Sequence, residues 1–351
     1  MSTSSEGINY GPVLFQYDLY PEKIEDHGQA KKVMSRRGTF ALKETSMTEE
    51  EQEWFIHVIQ RLSELGYHQV VPLYPTKHGD YVVRSGNYTY YLMPWFSAEP
   101  RYEYDKDELV IHEIGKIHQL TLKEQDFSQE VVDYSFQYLM QRWESRQLEM
   151  ERFAEESERM TYMSPFALTY LSHFHQMMRL AEDAKRKLRD WYDICHSEQR
   201  YRSVLCHGQL SSQHLLFSHM GEPHLLNFER AVLDTPVRDL AYFFRKAVHQ
   251  PTWTRETGSK LFELYQRHIE LSEEERYLLV SYMSFPEPIF SSIEMYHNQR
   301  GQHSQIELVN RLEKRISAMR HIREFCDDIL SLPLPAKPED EFFEGEKEDH
   351  M

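Results

Sequence analysis

Hydrophobic and polar positions in the first third of the chain alternate in a way that predicts β-hairpins. Apolar and β-branched residues fill "GTFALKET" at 38–45, and "QAKKVMS" just upstream can pair with it as a hairpin. "DYVVRS" and "YTYYLM" flank Gly86-Asn87, which is a strong signal for a two-residue hairpin turn. The ladder is expected to stop at Pro94, because proline lacks the N–H that a strand needs.

One helix is predicted between these hairpins. Thr48 and Glu51 have the spacing of a capping box, in which two side chains satisfy free backbone N–H groups at the start of a helix. Apolar residues then recur at helical spacing from Trp54 to Leu65, and Gly66 follows, as glycine often does at a helix end.

Beyond Pro100 the apolar spacing is mostly helical. Helices are predicted at Asp107–Leu122, Glu130–Met160, Ser164 to about Cys195, from near Val237, from the capping box of Ser272 and Glu275, and at about Gln305–Leu330. One β-like stretch, about Arg202 to Phe228, is the only one predicted in this half. The order of elements predicts an α+β, bilobal protein-kinase-like fold with a small β-rich N-lobe and a large helical C-lobe. It excludes the regular strand–helix alternation of a Rossmann fold.

The predicted domains are an N-lobe at 1–95, a helical C-lobe at 96–332 and a tail at 333–351. The tail is first rich in proline and then in acidic residues, so it is predicted to be disordered. Its role cannot be read from the sequence.

Charge and composition narrow the range of functions. The chain has 57 acidic and 40 basic residues and a net charge of −17, which argues against nucleic acid as a partner. No apolar run approaches the roughly 20 residues of a membrane span, and the N-terminus lacks the pattern of a secretory signal. The three cysteines are far apart and odd in number, so we expect synthesis in a reducing cytosol and no disulfide framework. The 19 histidines show no ligand spacing, and no metal site is predicted.

Phosphoryl transfer requires a phosphate-binding lysine, a catalytic-loop base and magnesium ligands, and each can be sought here. Lys43 ends an apolar strand where such a lysine belongs, although an exposed strand-end lysine explains it equally well. Glu51 is a candidate partner for Lys43, with its capping-box role as the alternative. Met93 lies in "YTYYLMPWF", which either lines an adenine slot or is simply a hydrophobic strand. A glycine-rich loop that would cradle phosphates is missing from the sequence upstream of Lys43.

The second half contains linked motifs that resemble the aminoglycoside phosphotransferase and choline kinase superfamily. They are "LCHGQLSSQHLLF", "HLLNFERAVLDTPVRDLAYF" and the helix "HEIGKIHQLT". Residues that match the family pattern are His207, Gly208, Phe228, Glu229, Pro236, Asp239, Leu240 and Ala241. The resemblance implies that His207, Gly208 and Asp239 shape the loop, with Asp239 hydrogen-bonding the loop backbone near His207.

Within that superfamily, the chain resembles the kinase-like spore coat proteins of the CotS group, and among them the YsxE type. "GTFALK", "LLNFE" and "DTPVRDL" are typical of the group. The resemblance implies synthesis in the mother-cell cytoplasm, a place in the spore coat and other coat proteins as partners. It leaves the oligomeric state open.

Three positions depart from the superfamily pattern, and all three belong to the chemistry. Gln209 stands at the base position, where an amide cannot take up a proton at any useful pH. His214 replaces a metal-binding asparagine, and Asn227 replaces the main magnesium carboxylate. The site is therefore predicted to be degenerate, with no intact catalytic residue.

We accordingly expect a catalytically inactive, pseudokinase-like structural or interaction protein that needs no cofactor. Two alternatives remain open. One is an active small-molecule phosphotransferase that uses ATP and magnesium with atypical residues, recruiting Glu229 or Asp234. The other is a pseudokinase that binds nucleotide as a switch.

Overall fold

A computed structural model describes residues 9–96, 105–126, 129–198, 200–298 and 303–334. The helices in chain order are α1 Gly11–Gln16, α2 Glu49–Glu64, α3 Lys106–Thr121, α4 Gln129–Glu158, α5 Pro165–Glu198, α6 Val237–Ala247, α7 Arg255–Gln266, α8 Glu273–Ser284, α9 Glu287–Asn298 and α10 Gln305–Ser331. The strands are β1 Pro21–His27, β2 Ala30–Ser35, β3 Gly38–Thr45, β4 Val82–Ser85, β5 Tyr88–Pro94, β6 Lys123–Asp126, β7 Arg200–Cys206, β8 Leu215–Phe217, β9 Pro223–Leu225 and β10 Val232–Asp234.

Backbone packing divides the chain into two compact units. Unit 1 comprises Met1–Leu120 and His207–Val232, and unit 2 comprises Thr121–Cys206 and Leu233–Met351. Compact units of this kind need not coincide with the lobes of a fold. The predicted boundary after residue 95 therefore stays a prediction, and residues 335–351 of the predicted tail lie outside the described residues.

Unit 1 is built on an antiparallel sheet with the strand order β1-β2-β3-β5-β4. Both predicted hairpins are present, since β2 pairs with β3 and β4 with β5. Leu42 and Leu92 are cross-strand neighbours and pack with α1 on one face of the sheet. Lys43 and Tyr91 are the next pair in the register, so their side chains lie on the opposite face, where Phe55 of α2 packs against Tyr91.

The predicted helix at Thr48 is confirmed as α2. Thr48 N–H donates to Glu51 Oε2 over 2.7 Å, and Glu51 N–H donates to Thr48 Oγ1 over 3.3 Å, which completes the capping box. After the last turn, Gly66 has a φ of +81°, a backbone conformation that glycine adopts with little strain.

The β8–β9 hairpin directly follows the predicted catalytic-loop positions, His207 to His214, and belongs with them to unit 1. It is joined to the chain after α2 by backbone hydrogen bonds. Val71 N–H donates to Leu225 O over 2.9 Å, and Leu225 N–H donates to Gln69 O over 2.7 Å. These bonds fix the hairpin relative to α2 and the sheet within the same unit.

Unit 2 is mainly helical, with α5 packed against α8, α4 and α10. The prediction that β structure in this half is confined to about residues 202–228 is wrong, because β6 pairs antiparallel with β7 in a sheet of order β10-β7-β6. The short polar sequence of β6, "KEQD", has no alternation that would reveal it. In the described part of the chain, none of the helices combines the length and apolar character that a bilayer crossing requires.

All three cysteines are free and buried. Burial raises the pKa of the Cys195 and Cys326 thiols to about 12, and it holds that of Cys206 well above its ordinary value. The expectation of a chain without disulfides is consistent with this placement.

Candidate functional site

The side chain of Lys43, on β3, contacts two other side chains inside unit 1. Lys43 Nζ donates a hydrogen bond to Asn227 Oδ1 and lies 2.9 Å from Glu229 Oε1. Only 9% of the Lys43 side chain and 13% of the Glu229 side chain are exposed. A contact of this kind between buried groups is a buried ion pair rather than a surface one, so breaking it would leave an uncompensated charge.

Tyr91, on the neighbouring strand β5, adds a hydrogen bond to the Lys43–Glu229 ion pair. Tyr91 donates its hydroxyl hydrogen to Glu229 Oε1 over 2.6 Å. Burial alone would raise the pKa of Glu229, but the charge of Lys43 and the hydrogen bonds from Tyr91 and Lys43 outweigh it. The pKa of Glu229 therefore lies below its ordinary value, and the carboxylate is charged. Burial, followed by the Glu229 charge, raises the pKa of the Tyr91 hydroxyl well above its usual range.

The backbone at Asn227 explains how an amide can occupy this position. Asn227 has φ 71° and ψ 47°, a left-handed conformation in which asparagine and aspartate are several-fold enriched. A short 3₁₀ turn, Phe228–Arg230, follows it. Trp54 on α2 donates its indole N–H to Ala231 O over 2.6 Å, which ties the end of this turn to the helix.

Glu51 has the capping role, one of the two roles considered for it. Its carboxylate accepts from the Thr48 backbone, and the carboxylate that pairs with Lys43 is Glu229. Met93 is buried on β5 opposite Ala41, and its contact with a nucleotide stays a prediction.

His207 holds the loop through its ring. Its Nε2 lies 2.9 Å from Leu226 O, and the Gln209 backbone N–H donates to its Nδ1 over 3.3 Å. This pair of bonds fits the tautomer with the proton on Nε2. The buried ring also packs against Phe228, with 4.8 Å between ring centroids. His207 therefore connects the loop to the segment just before Asn227.

Gly208 lies where no side chain fits. Its φ is +81°, and a Cβ atom at this position would lie 2.0 Å from the backbone oxygen of Arg230. Such a distance is far below van der Waals contact. The loop and the 3₁₀ turn can approach this closely only because residue 208 is glycine.

These residues surround a polar cavity of about 350 Å³. Its lining consists of Gln29, Lys43, Glu44, Thr45, Ser46, Met47, Glu51, Gln209, His214, Asn227, Glu229 and Arg230. The predicted degenerate positions 209, 214 and 227 are thus brought together with Lys43. The His214 ring stacks on His207 at 5.2 Å with an interplanar angle of 15°.

This donor set does not fit a magnesium ion as it stands. Magnesium favours carboxylate oxygens together with phosphates. The Asn227 oxygen is neutral, and both it and Glu229 Oε1 already accept hydrogen bonds from the Lys43 ammonium. An ion at this position would have to displace the ammonium from its two partners.

The turn before β2 offers little to a phosphate. β1 and β2 are joined by only Gly28 and Gln29, and the Gly28 N–H donates to Asp26 Oδ1 over 2.8 Å. The Gln29 carbonyl accepts from the Glu44 N–H over 2.8 Å. The backbone here is therefore engaged with its own chain.

Two acidic residues of unit 2 were also considered at the sequence level. Asp234 accepts from Tyr201 Oη over 3.1 Å and pairs with Arg238 over 2.8 Å, so it is part of a local network. Asp239 is fully buried in the first turn of α6. Its predicted contact with the loop backbone near His207 stays a prediction.

The sequence did not reveal that Tyr91 and Glu229 are the partners of Lys43. Tyr91 is the direct cross-strand neighbour of Lys43, so a correct β3–β5 register would have placed it on the same face. Glu229 matched the family motif, but it is separated from Lys43 by about half of the chain, so no local signal in the sequence indicates their contact.

Three solved structures with similar folds are described as phosphotransferases or as a kinase. The chain is 17% identical to an aminoglycoside phosphotransferase from Alicyclobacillus acidocaldarius, with a TM-score of 0.74 over 93% of this chain and 98% of that one. A spectinomycin phosphotransferase is 12% identical, with a TM-score of 0.58 over 89% and 97% of the two chains. A microcompartment-associated aminopropanol kinase is 14% identical, with a TM-score of 0.55 over 91% and 97%. At these identities the likeness shows the fold alone, and it confirms the predicted aminoglycoside phosphotransferase-like fold.

A family model described as "Spore coat putative kinase YutH" matches residues 13–329. No curated protein matches the chain significantly. The prediction of a kinase-like spore coat protein is confirmed at the level of the family, and the matching model carries the name YutH where the sequence resembled the YsxE type.

Proposed function

The chain belongs to the spore coat family of YutH, and from that membership we propose that it is a catalytically inactive, kinase-like protein that serves as a structural or interaction component of the spore coat. It would be made in the mother-cell cytoplasm and assembled with other coat proteins. The residues of its site would stabilise the fold and would not catalyse a reaction.

One observation carries the proposal of inactivity, namely the position of the Lys43 ammonium between Asn227 and Glu229. The groups that would hold phosphates and magnesium are bound to one another. Opening a buried ion pair costs about 3–5 kcal/mol when one partner is left uncompensated. A nucleotide would have to offset that cost before gaining any affinity.

The acceptor side supports the same conclusion. Gln209 is at the position of the base, and its amide can orient a hydroxyl group but cannot take its proton. Losing one member of a catalytic unit commonly lowers the rate by several orders of magnitude. Positions 209, 214 and 227 thus carry an amide, an imidazole and an amide, and none of the three supplies the carboxylate that the chemistry requires.

A melting experiment with ATP, alone and with magnesium or manganese, tests the proposal. A ligand at 100 times its dissociation constant stabilises a protein by about 2.7 kcal/mol, which is visible as a rise in melting temperature. We expect no shift in any of these conditions. A metal-dependent shift with phosphoryl transfer would establish the active alternative, and a shift without turnover would establish the nucleotide switch.

A double substitution tests whether the loss of activity goes beyond two residues. Gln209→Asp with Asn227→Asp restores both carboxylates, yet we expect no turnover because Lys43 stays engaged by Glu229 and the backbone of the Gly28–Gln29 turn is bonded to its own chain. The single variant Gln209→Asp is the matched control for folding. ATP hydrolysis by the double variant above that of the control would refute this part of the proposal.

The coat role has its own test. Spores carrying Gln209→Ala should incorporate the protein into the coat fraction as the unmodified chain does, because the amide performs no chemistry. A chain with a destabilised loop, such as Gly208→Ala, should be depleted from the same fraction. Absence of the unmodified protein from purified coats would contradict the proposed location.

A further inference from the structure

Three arginines of unit 2 meet at the junction between α8 and α9. Arg142 on α4 donates to Glu287 Oε1 over 3.2 Å, and Arg146, one turn later, forms an ion pair with the same carboxylate oxygen. Arg245, near the end of α6, donates to Phe285 O over 2.7 Å. The Trp143 ring stacks on Phe285 at 4.7 Å and holds α4 against this junction.

One donor of Arg245, its Nε–H, is buried without an acceptor among the described residues. A guanidinium group has five N–H donors, and the bond to Phe285 O uses one of them. Within the part of the chain that the structure describes, the buried Nε atom of Arg245 has no partner. A buried donor without an acceptor is uncommon and indicates a missing partner.

The charges around Arg245 indicate that the missing partner is negatively charged. Burial lowers the pKa of Arg245 to about 10; the Cys326 thiol acts in the opposite direction, and the positive charges of Arg142 and Arg146 lower it further. No carboxylate is among the described groups that act on Arg245. Glu287 pairs with both Arg142 and Arg146, and Glu149 and Glu294 act on Arg146.

Two exposed tyrosine rings lie on the same helix as Arg142. Tyr134 and Tyr138 are 71% and 55% exposed, and they lie two turns and one turn, respectively, before Arg142 on α4. Their rings stack with 6.3 Å between centroids and 17° between planes. Tyrosine and arginine are the residues that most often dominate binding energy at protein interfaces. We call Tyr134, Tyr138, Arg142 and Arg245 the arginine site.

We propose that the arginine site binds the acidic C-terminal segment of the same chain, residues 335–351, through its carboxylates. The segment has seven acidic residues against two lysines: Glu339, Asp340, Glu341, Glu344, Glu346, Glu348 and Asp349 against Lys337 and Lys347. Carboxylates pair with guanidinium groups in bidentate geometry, and the Phe342-Phe343 pair matches the exposed tyrosine rings. This proposal does not rest on the proposed function.

The length of the chain permits the contact. Arg315 on α10 donates to Pro288 O over 2.8 Å, so this part of α10 lies beside the start of α9. From residue 315 to the end of α10 at Ser331, the helix rises about 24 Å. An extended chain covers that distance in about 7–8 residues at roughly 3.3–3.6 Å each. A return from Leu334 therefore brings Glu341 and the acidic residues after it to the level of the arginine site.

Limited proteolysis of the full-length protein tests the contact. Trypsin cleaves after Lys347, whereas Pro338 blocks cleavage after Lys337, so mass spectrometry of the intact chain follows the rate of cleavage at Lys347. We expect Arg142→Gln to raise this cleavage rate at least threefold. Arg159→Gln is the matched control, because it removes the same group from an exposed position just past the C-terminal end of the same helix. Equal rates in the two variants would overturn the proposal.

A second measurement separates this segment from any other anion. A labelled peptide of residues 335–351 should bind a full-length variant whose own seven acidic tail residues are replaced by glutamine and asparagine at least tenfold more tightly than it binds the unmodified chain, whose own segment occupies the site. A peptide with glutamine and asparagine in place of its acidic residues should not bind. Equal binding to both chains, or stabilisation by inorganic phosphate with no binding of the peptide, would overturn the proposal.

Discussion

Replacing Gly208 with alanine tests the closest approach in the site. The added Cβ would lie 2.0 Å from Arg230 O and 2.9 Å from the Arg230 carbonyl carbon, so the loop or the 3₁₀ turn must move. Forcing an extra methyl group into a packed region costs about 1–3 kcal/mol. The left-handed backbone adds about 1–2 kcal/mol for a residue with a side chain. We expect the free energy of unfolding to fall by about 2–5 kcal/mol.

Gly66 provides a matched control for this substitution. Its φ is also +81°, but nothing lies within 4 Å of the position that a Cβ would take. Gly66→Ala should therefore cost only the backbone part, about 1–2 kcal/mol. Urea denaturation of the two variants, followed by circular dichroism, isolates the steric part as their difference. Equal midpoints and slopes would show that the loop moves to accommodate the methyl group at no cost in stability. That result would refute the argument that close packing requires glycine at position 208.

Two further predictions concern the same region. Glu229→Gln should lower the free energy of unfolding by about 3–5 kcal/mol at neutral pH, because the buried Lys43 ammonium loses its counter-charge. Since the folded pKa of Glu229 lies below the ordinary 4.5, its contribution is present above that pH and is lost as the pH falls through the folded value. Denaturation curves of the variant and the unmodified chain should therefore converge in acid, and a constant gap down to pH 2 would contradict this. His207→Phe keeps the ring but removes the donor to Leu226 O, and should cost about 1–3 kcal/mol in the same assay; a neutral result would remove the proposed role of that bond.

Local signals in the sequence predicted much of unit 1 correctly. The capping box at Thr48, the glycine after α2 and the turn at Gly86-Asn87 are each decided by residues within a few positions of one another. The sequence also identified Gln209 and Asn227 as departures, because a motif fixes their positions relative to His207.

Elements without a local signal were not predicted. β1 has the sequence "PEKIEDH" and an exposed, polar pattern, so it shows no period of two, and α1 is only six residues long. The pairing of Lys43 with Glu229 joins residues far apart in sequence and depends on how the hairpin, α2 and the 3₁₀ turn pack together. Sequence spacing alone favours a nearby carboxylate, such as Glu51, as the partner of Lys43. The Glu51 carboxylate instead accepts a hydrogen bond in the capping box.

The burial of the three thiols has a practical consequence. The thiolate is the reactive form of cysteine. At neutral pH, a buried thiol with a raised pKa is almost entirely protonated. The folded protein should therefore resist alkylating reagents, and modification of Cys195, Cys206 or Cys326 would report local opening of unit 2. A single cysteine introduced on the surface could then carry a spectroscopic label without removal of the native three.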